Sequence, residues 1–331
     1  MKRYIPLILL LAAAVGCNKA ENPVFPKDSD IELQFNIPGV TRASDDYTVI
    51  GTTIPAGRSF GVFAWYGDEA SGKPTYMDNQ KVSNTGTPET PAFTYFPKRY
   101  WPDEGNVTFT AYYPYETGSE GTGIRFADDH SGMSFSVKPD AADQMDFLVA
   151  DTFTSGKAAG NYSVDIHFRH ATAKINVLFK YRPETVRDGE RAYPLSIALD
   201  NVCMSGNCAP GPIWSNLSDK GTAAFGLTGG DQSACMLIPQ DTAPLSFVID
   251  ARIEETDGTT VTSYRDKHCV AAVPPIGKDN VTVWSSGTVY TYEILFDGDQ
   301  VHVELVDITV DNWHKAVDWR NIEYSSWMND D

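Results

Sequence analysis

Cys17 is the residue whose position points most directly to chemistry. It ends the sequence Ala14-Val15-Gly16-Cys17, which resembles a bacterial lipobox. Small residues before the cysteine fit a signal peptidase, and the cysteine that becomes N-terminal after cleavage can carry acyl chains such as palmitate. The alternative interpretation is a chance cysteine behind an ordinary secretory signal. We predict lipidation at Cys17.

Residues 1–16 have the form of the export signal that such a cysteine requires. Lys2 and Arg3 precede an apolar run over residues 5–15, and small residues follow it. A bilayer needs roughly twenty apolar residues, so this run is too short to span it. Removal of the segment takes away two positive charges and no negative one, which lowers the formal net charge from −18 to −20. Attachment to an anionic membrane would therefore depend on acyl chains rather than on charge.

Arg42 is a second residue on which chemistry could act. It lies between an alternating strand and the acidic stretch Ser44-Asp45-Asp46, where a trypsin-like protease could cut between Arg42 and Ala43. By itself a lone arginine in a loop indicates little. Before it, residues 18–30 are polar and contain proline, which is typical of a flexible tether. The inward-facing residues of the strand that follows the tether are Ile31, Leu33, Phe35 and Ile37.

Four further cysteines are candidates for disulfides: Cys203, Cys208, Cys235 and Cys269. An exported chain lies in a compartment that permits disulfides. Cys203 and Cys208 could close a small ring, and Cys235 and Cys269 could pair across a sheet. Four cysteines allow three pairings, and the sequence does not choose among them or against unpaired structural thiols. A zinc site is the rival interpretation, but the sequence has no CxxC pair.

The remaining residues give no catalytic pattern. The sequence has no GxSxG, GxxxxGK[ST], HExxH or GxGxxG motif. His167 and His170 would point to opposite faces of a strand, which does not favour a shared metal ion. The acidic balance of 26 Lys+Arg against 44 Asp+Glu argues against a nucleic-acid partner. We therefore expect that the protein is not an enzyme and that it binds neither a metal ion nor a cofactor.

Adjacent aromatic residues suggest a different function. Trp65-Tyr66 and Tyr112-Tyr113-Pro114-Tyr115 could stack on sugars if they are exposed. The chain would then be a surface lipoprotein that binds a glycan or a host ligand. The competing interpretation is that one residue of each adjacent pair faces the core.

The elements that would position these residues are β-strands. Period-2 alternation of apolar and polar residues predicts antiparallel sandwiches with one buried and one wet face. The alternating segments are residues 31–37, 107–113, 133–137, 162–168, 175–181, 195–199, 245–253, 290–296 and 301–305. Asp297-Gly298-Asp299 predicts a hairpin turn, and the change of phase before Val306 predicts a bulge.

The domain organisation follows from this pattern and from one boundary. Residues 182–189 are charged and contain proline and glycine, which indicates a linker between two sandwich cores. The sequence therefore predicts four parts in order. These are a signal peptide (1–16), a tether with a first strand (17–42), an N-terminal sandwich (43–182) and a C-terminal sandwich with a tail (183–331).

An ordered set of motifs resembles the fimbrillin-like (Mfa-like) family of Bacteroides-type pilus subunits and lipoproteins. The resemblance covers roughly residues 30–315. It is carried by Phe60-Gly61-Val62-Phe63-Ala64, Tyr100-Trp101-Pro102, Val107 to Tyr115, Asp146-Phe147-Leu148-Val149-Ala150, Val164 to Ile175, and Ile308-Thr309-Val310-Asp311-Asn312-Trp313.

The resemblance implies a fold, a location and partners. The fold would be two consecutive antiparallel β-sandwich domains of the transthyretin-like type. A lipoprotein precursor would reach the outer membrane and cell surface, and an Arg-specific protease would cut after Arg42 and remove the first strand with Ile31, Leu33, Phe35 and Ile37. The opened groove would then take a strand from another pilus subunit. The implied role is a fimbrial subunit that mediates adhesion to a host or bacterial surface ligand.

The position within a pilus stays open. The lipid at Cys17 leaves if Arg42 is cut, so stalk, tip and anchor remain alternatives. The tail from Ala316 to Asp331 alternates only in part, and it is either a donor strand or a fixed surface segment.

Overall fold

The regular secondary structure of the described residues is almost entirely β-strand, which confirms the predicted all-β class. The computed structural model describes residues 28–38, 40–41, 54–87, 90–117, 121–126, 132–157, 162–181, 190–227, 232–257, 259–276, 280–296 and 301–310. The one helical element in these ranges is a short 3₁₀ turn at Ala141–Asp143. No helix among the described residues is long and apolar enough to cross a membrane.

The strands are numbered along the chain. They are β1 (Asp28–Glu32), β2 (Gln34–Asn36), β3 (Val40–Thr41), β4 (Ser59–Tyr66), β5 (Met77–Asn84), β6 (Phe93–Tyr95), β7 (Tyr100–Pro102), β8 (Asn106–Tyr113), β9 (Ile124–Phe126), β10 (Met133–Ser136), β11 (Leu148–Ala150), β12 (Phe153–Gly156), β13 (Ser163–Asp165), β14 (Phe168–His170), β15 (Ala173–Tyr181), β16 (Glu190–Ala209), β17 (Ile213–Phe225), β18 (Gln232–Leu237), β19 (Ser246–Thr256), β20 (Val261–Ala272), β21 (Thr288–Phe296) and β22 (Val301–Val310).

The first core is built on an eight-stranded sheet with the order β3-β14-β11-β8-β4-β5-β6, in which β12 also pairs with β8. Two small sheets, β1-β7 and β2-β13, complete this part of the fold. The central strand β4 is buried along almost its whole length, because both of its faces are covered. Its residues Phe60, Val62 and Ala64 belong to the first core, whereas Phe63 and Trp65 pack into the second.

The second core lies between a six-stranded and a four-stranded sheet. The six-stranded sheet has the order β20-β19-β16-β10-β9 with β17 beside β16, and the four-stranded sheet has the order β18-β15-β21-β22. Phe247 of β19 and Tyr292 of β21 meet edge to face at 5.4 Å between ring centroids. Phe63 of β4 and Phe126 of β9 meet at 5.3 Å within the second core, which packs one face of the eight-stranded sheet against that core.

The cores do not divide the chain at the predicted boundary. Residues 182–189 lie outside the described residues, but β15 before them pairs with β18 and β21. Likewise β9 and β10 belong to the sheet of β16. A charged stretch with proline and glycine also suits a connection within one core, and here it joins two strands of the second core. The predicted ranges 43–182 and 183–331 thus both contribute strands to the second core. We propose that the two cores, rather than these ranges, are the domains.

The last two strands follow the predicted hairpin. β21 and β22 pair from Thr288↔Val310 to Phe296↔Val301, with the turn outside the described residues. Tyr292 pairs with Leu305 and Thr291 with Asp307, so Val306 is an extra residue on its strand. The bulge predicted from the change of phase is confirmed.

Candidate functional site: the groove filled by the first strand

The segment from Asp28 to Thr41 is held by two distant parts of the chain. β1 pairs antiparallel with β7, while β2 and β3 pair parallel with β13 and β14. The amide of Leu33 donates to the Arg99 carbonyl at 2.9 Å, and the amide of Ile166 donates to the Asn36 carbonyl at 2.8 Å. The segment therefore fills a groove whose walls are β7 and β13.

The inward face of the segment is fully apolar. Leu33 is 0%, Phe35 6% and Ile37 5% exposed, and Ile31 packs beside them while partly buried. Gln34 and Asn36 are exposed between them. The alternation that the sequence predicts is thus the alternation between the groove and solvent.

Phe35 occupies an aromatic pocket at the centre of the groove. Its ring lies 5.4 Å from the ring of Tyr95, 6.2 Å from that of Phe60 and 6.4 Å from that of Phe109. All three contacts are edge to face, which is a favoured geometry for aromatic pairs. Val164 of β13 pairs with Phe35 and is itself buried.

Tyr95 supplies a buried side-chain hydrogen bond from the groove wall to the backbone of the segment. Its hydroxyl donates to the Leu33 carbonyl at 2.7 Å. Burial raises the pKa of Tyr95 to about 12, so the hydroxyl keeps its proton at any ordinary pH. The contact recognises the backbone of the strand rather than its sequence, because it is made to a carbonyl oxygen.

The rim of the groove carries polar contacts that are open to solvent. Lys98 Nζ lies 2.5 Å from Glu32 Oε1, and Asn36 Nδ2 donates to Asp165 Oδ1 at 2.9 Å. Tyr66 donates its hydroxyl proton to Asp28 at 3.1 Å, and burial together with this carboxylate raises the pKa of Tyr66 to about 12. Exposed ion pairs contribute roughly 0–1 kcal/mol each, so the rim adds little to the stability of the strand.

The walls of the groove were not identified from the sequence. Tyr95, Lys98 and Val164 lie far along the chain from residue 35, so no short turn motif joins them to it. The available signal was the alternation of residues 162–168, which identifies a strand without identifying its neighbour.

The predicted processing residues lie outside the described residues. Cys17, Arg42 and Ala43 belong to this group, and lipidation and cleavage stay predictions. The last described residue before the predicted cut is Thr41, which pairs with Arg169 of β14.

The four remaining cysteines are free thiols, so none of the three disulfide pairings is formed in the structure. Cys203 and Cys208 lie on the same strand, β16, whereas Cys235 lies in β18 and Cys269 in β20, which belong to different sheets. Burial raises the pKa of the Cys208 thiol to about 12 and raises that of Cys235 as well. These cysteines act as packing residues.

We expect the thiols to differ sharply in reactivity. At pH 8 only about one in ten thousand Cys208 thiols is ionised if its pKa is about 12, and the thiolate is the reactive form. Alkylation of the native protein should therefore label the partly exposed Cys269 first, and Cys208 and Cys235 only after unfolding. Because an unfolded thiol ionises near pH 9, burial of Cys208 should also make the folded chain less stable as the pH rises from about 9 to about 12.

Mass spectrometry of the labelled, unfolded chain without reductant counts the thiols. Labels on all four residues from Cys203 to Cys269 are the expected result. The absence of two labels until reductant is added would contradict the free thiols of the structure.

Of the aromatic residues suggested for sugar stacking, Trp65 and Tyr112 are buried and the other three are half-buried. Trp65 is 7% and Tyr112 1% exposed, and the Trp65 indole N–H donates to the Gly72 carbonyl at 3.1 Å. Both residues line a cavity of about 590 Å³ together with Phe63 and Phe126. The interpretation that these rings face the core is the one that their burial favours.

The histidines that bracket Phe168 do not converge. His167 is exposed, whereas His170 is buried with its Nδ1 atom 2.9 Å from Asp146 Oδ1. Within the described part of the chain, no three His, Cys, Asp or Glu side chains are grouped so that they could hold a metal ion.

The family of the chain follows from its sequence together with this architecture. Residues 41–313 match the sequence model of the fimbrillin-like family, so the chain belongs to that family. Fimbrillin-like proteins are structural pilus proteins rather than enzymes, and their place is the fimbrium at the cell surface. A search among curated proteins finds no match to the sequence.

Solved structures from Bacteroides share the fold. A fimbrial protein from Bacteroides vulgatus aligns with a TM-score of 0.62 at 16% identity, over 85% of this chain and 98% of that one. A proposed cell adhesion protein from Bacteroides uniformis aligns with a TM-score of 0.56 at 18% identity, over 77% of this chain and 92% of that one. A similar adhesion protein from Bacteroides ovatus gives 0.53 at 19% identity, over 87% and 98% of the two chains.

Proposed function

We propose that the chain is a pilus subunit that assembles by strand exchange and mediates adhesion. In this proposal a protease cuts after Arg42, the segment before the cut leaves its groove, and another subunit donates a strand to the same groove. The observation that supports the proposal best is the burial of Leu33, Phe35 and Ile37 in the groove between β7 and β13.

Departure of the segment would leave a site that a strand can fill. The carbonyls of Arg99 and Tyr162 and the amide of Ile166 would lose their partners in residues 33–36. Unpaired backbone groups beside an apolar slot are unfavourable in water. An incoming strand restores the hydrogen bonds and covers the slot, which is the mode of recognition known as β-augmentation. Subunits joined head to tail in this way form a filament rather than a closed ring.

We further propose that the precursor is an exported lipoprotein of the outer membrane, acylated at Cys17. Cleavage after Arg42 separates the lipid from the rest of the chain. An uncut molecule would stay anchored as a basal or accessory subunit, whereas a cut molecule could enter the filament. The same chain could thus serve either role, depending on the protease.

Limited proteolysis of the purified precursor tests the proposal. We expect a low dose of trypsin to cut after Arg42, to give a product that begins at Ala43, and to let this product form multimers when a subunit that donates a strand is added. An Arg42→Gln chain is the matched control and should stay uncut at this site and monomeric. Resistance of Arg42 to cutting, with no multimers, would exclude polymerisation by strand exchange.

A further inference from the structure

We propose that the groove selects its incoming strand by an aromatic side chain at the centre of the strand, flanked two residues away on each side by aliphatic side chains. This inference rests on the proposed strand exchange. The partner is then a strand of that pattern from a different subunit rather than residues 311–331 of a second copy of this chain.

The aromatic requirement follows from the pocket that holds Phe35. The rings of Tyr95, Phe60 and Phe109 each meet the ring of Phe35 edge to face. A smaller side chain at this position would leave a cavity, and the rigid rings of the wall cannot collapse into it as flexible side chains could. An aliphatic side chain of similar volume would fill part of the space but would lose the three aromatic contacts.

The flanking positions have a different chemistry. Leu33 and Ile37 are 0% and 5% exposed, and buried aliphatic and aromatic residues such as Trp101, Ile166 and Phe168 belong to the same core. A polar side chain at either flanking position would be buried without a partner, which is unfavourable. The positions of Gln34 and Asn36, which lie between the buried positions, face solvent. The groove therefore does not select the residue types that a partner strand carries there.

The polar contacts at the rim orient the incoming strand but discriminate little between strands of different sequence. Lys98 pairs with Glu32, the residue before the first aliphatic position, and both side chains are more than a third exposed. An acidic residue at this place in the donor would therefore change the affinity only about twofold. Selection rests on the apolar face of the strand.

Residues 311–331 do not offer the pattern. Trp313, Trp319, Tyr324 and Trp327 are the aromatic residues of this stretch, and each has a polar residue at one or both positions two residues away. The best fit centres on Tyr324, with Ile322 on one side but Ser326 on the other. Ser326 would be placed in the pocket of Ile37, where its hydroxyl would be desolvated.

A peptide competition experiment tests the inference on the full chain. A recognition sequence for a site-specific protease is inserted between Arg42 and Ala43, and Cys17 is replaced by Ser, so that the cut does not depend on Arg42 or on lipid. After cutting, a dye-labelled peptide of residues 28–38 is allowed to exchange with the seated segment. Unlabelled peptides then compete with it, and fluorescence anisotropy gives their relative affinities.

The expected ranking follows from the pocket. The Phe35→Ala peptide should compete at least about 100-fold less well than the native peptide, since truncation of a buried Phe is strongly unfavourable. The Phe35→Leu peptide should be about 10-fold weaker. The Gln34→Ala peptide, altered on the exposed face, is the matched control and should equal the native peptide. A peptide of residues 318–328 should compete no better than the Phe35→Ala peptide.

The outcomes separate the inference from the proposed function. A native peptide that never exchanges would overturn strand exchange itself and the selection with it. A native peptide that exchanges, but no better than the Phe35→Leu peptide, would overturn the aromatic selection alone. A peptide of residues 318–328 that competes like the native one would identify a second copy of this chain as the partner and overturn the assignment to a different subunit.

Discussion

The Phe35→Asp chain should be severely destabilised, because the substitution places a carboxylate inside a pocket of three aromatic rings. Truncation of a buried Phe costs about 3–5 kcal/mol on its own, and an unpaired buried charge adds to that cost. Thermal unfolding should therefore begin well below that of the native chain. The Gln34→Asp chain carries the same charge one residue away on the exposed face and should unfold with the native chain.

The size of this effect has a ceiling that gives a sharper test. Because the segment can leave the groove, a substitution within it can lower the free energy of unfolding by no more than the amount that the seated segment contributes to it. A chain with both Leu33→Asp and Phe35→Asp should consequently unfold close to the single variants rather than at the sum of their effects. Additive losses in urea unfolding would show that the segment stays in place and is not removable in the proposed way.

The Gly61→Ala chain is expected to show the second large effect. Gly61 of β4 pairs with Tyr112 of β8, and a Cβ atom at Gly61 would overlap the Tyr112 ring and lie 2.6 Å from its hydroxyl oxygen. The ring is fixed, because its hydroxyl donates to Asn79 Oδ1 at 2.6 Å and the ring is 1% exposed. Overpacking of this kind costs about 1–3 kcal/mol, and the fixed ring favours the upper end.

Gly132 provides the matched control for this substitution. It has open space where a Cβ atom would be placed and a backbone that other residues adopt, so Gly132→Ala should be close to neutral in the same urea unfolding experiment. A Gly61→Ala chain as stable as the native one would show that the Tyr112 ring can move out of the way.

The sequence predicted strands best where one face is buried and the other is wet. Residues 31–37 and 290–296 alternate, and both segments contain described strands of the structure. The extra residue at Val306 was also predictable, because a bulge shifts the alternation by one. In contrast, β4 is buried on both faces, so its neighbours in the sheet cannot be inferred from period-2 alternation.

Pairing between distant strands was the part that the sequence could not give. β2 and β3 lie parallel to β13 and β14, and parallel neighbours need no short connection in the chain. The grouping of the strands into the two cores was not predictable for a related reason. β9 and β10 belong to a sheet whose other strands all lie at residue 190 or later. The local sequence of a strand does not indicate which sheet it belongs to. The inward face of the candidate site was thus predictable, but its walls were not.

The path of the chain between the cores has a mechanical consequence. Among the described strands, the chain passes from one core to the other between β8 and β9, again between β10 and β11, and finally between β14 and β15. A single linker would act as a hinge when a subunit is pulled from its two ends. Three covalent connections instead bear the force together, and separation of the cores would also expose Phe63 and Trp65 of β4, which pack into the second core. A fibre made of such subunits should therefore be stiff under tension, whereas a fibre of subunits hinged at single linkers would extend.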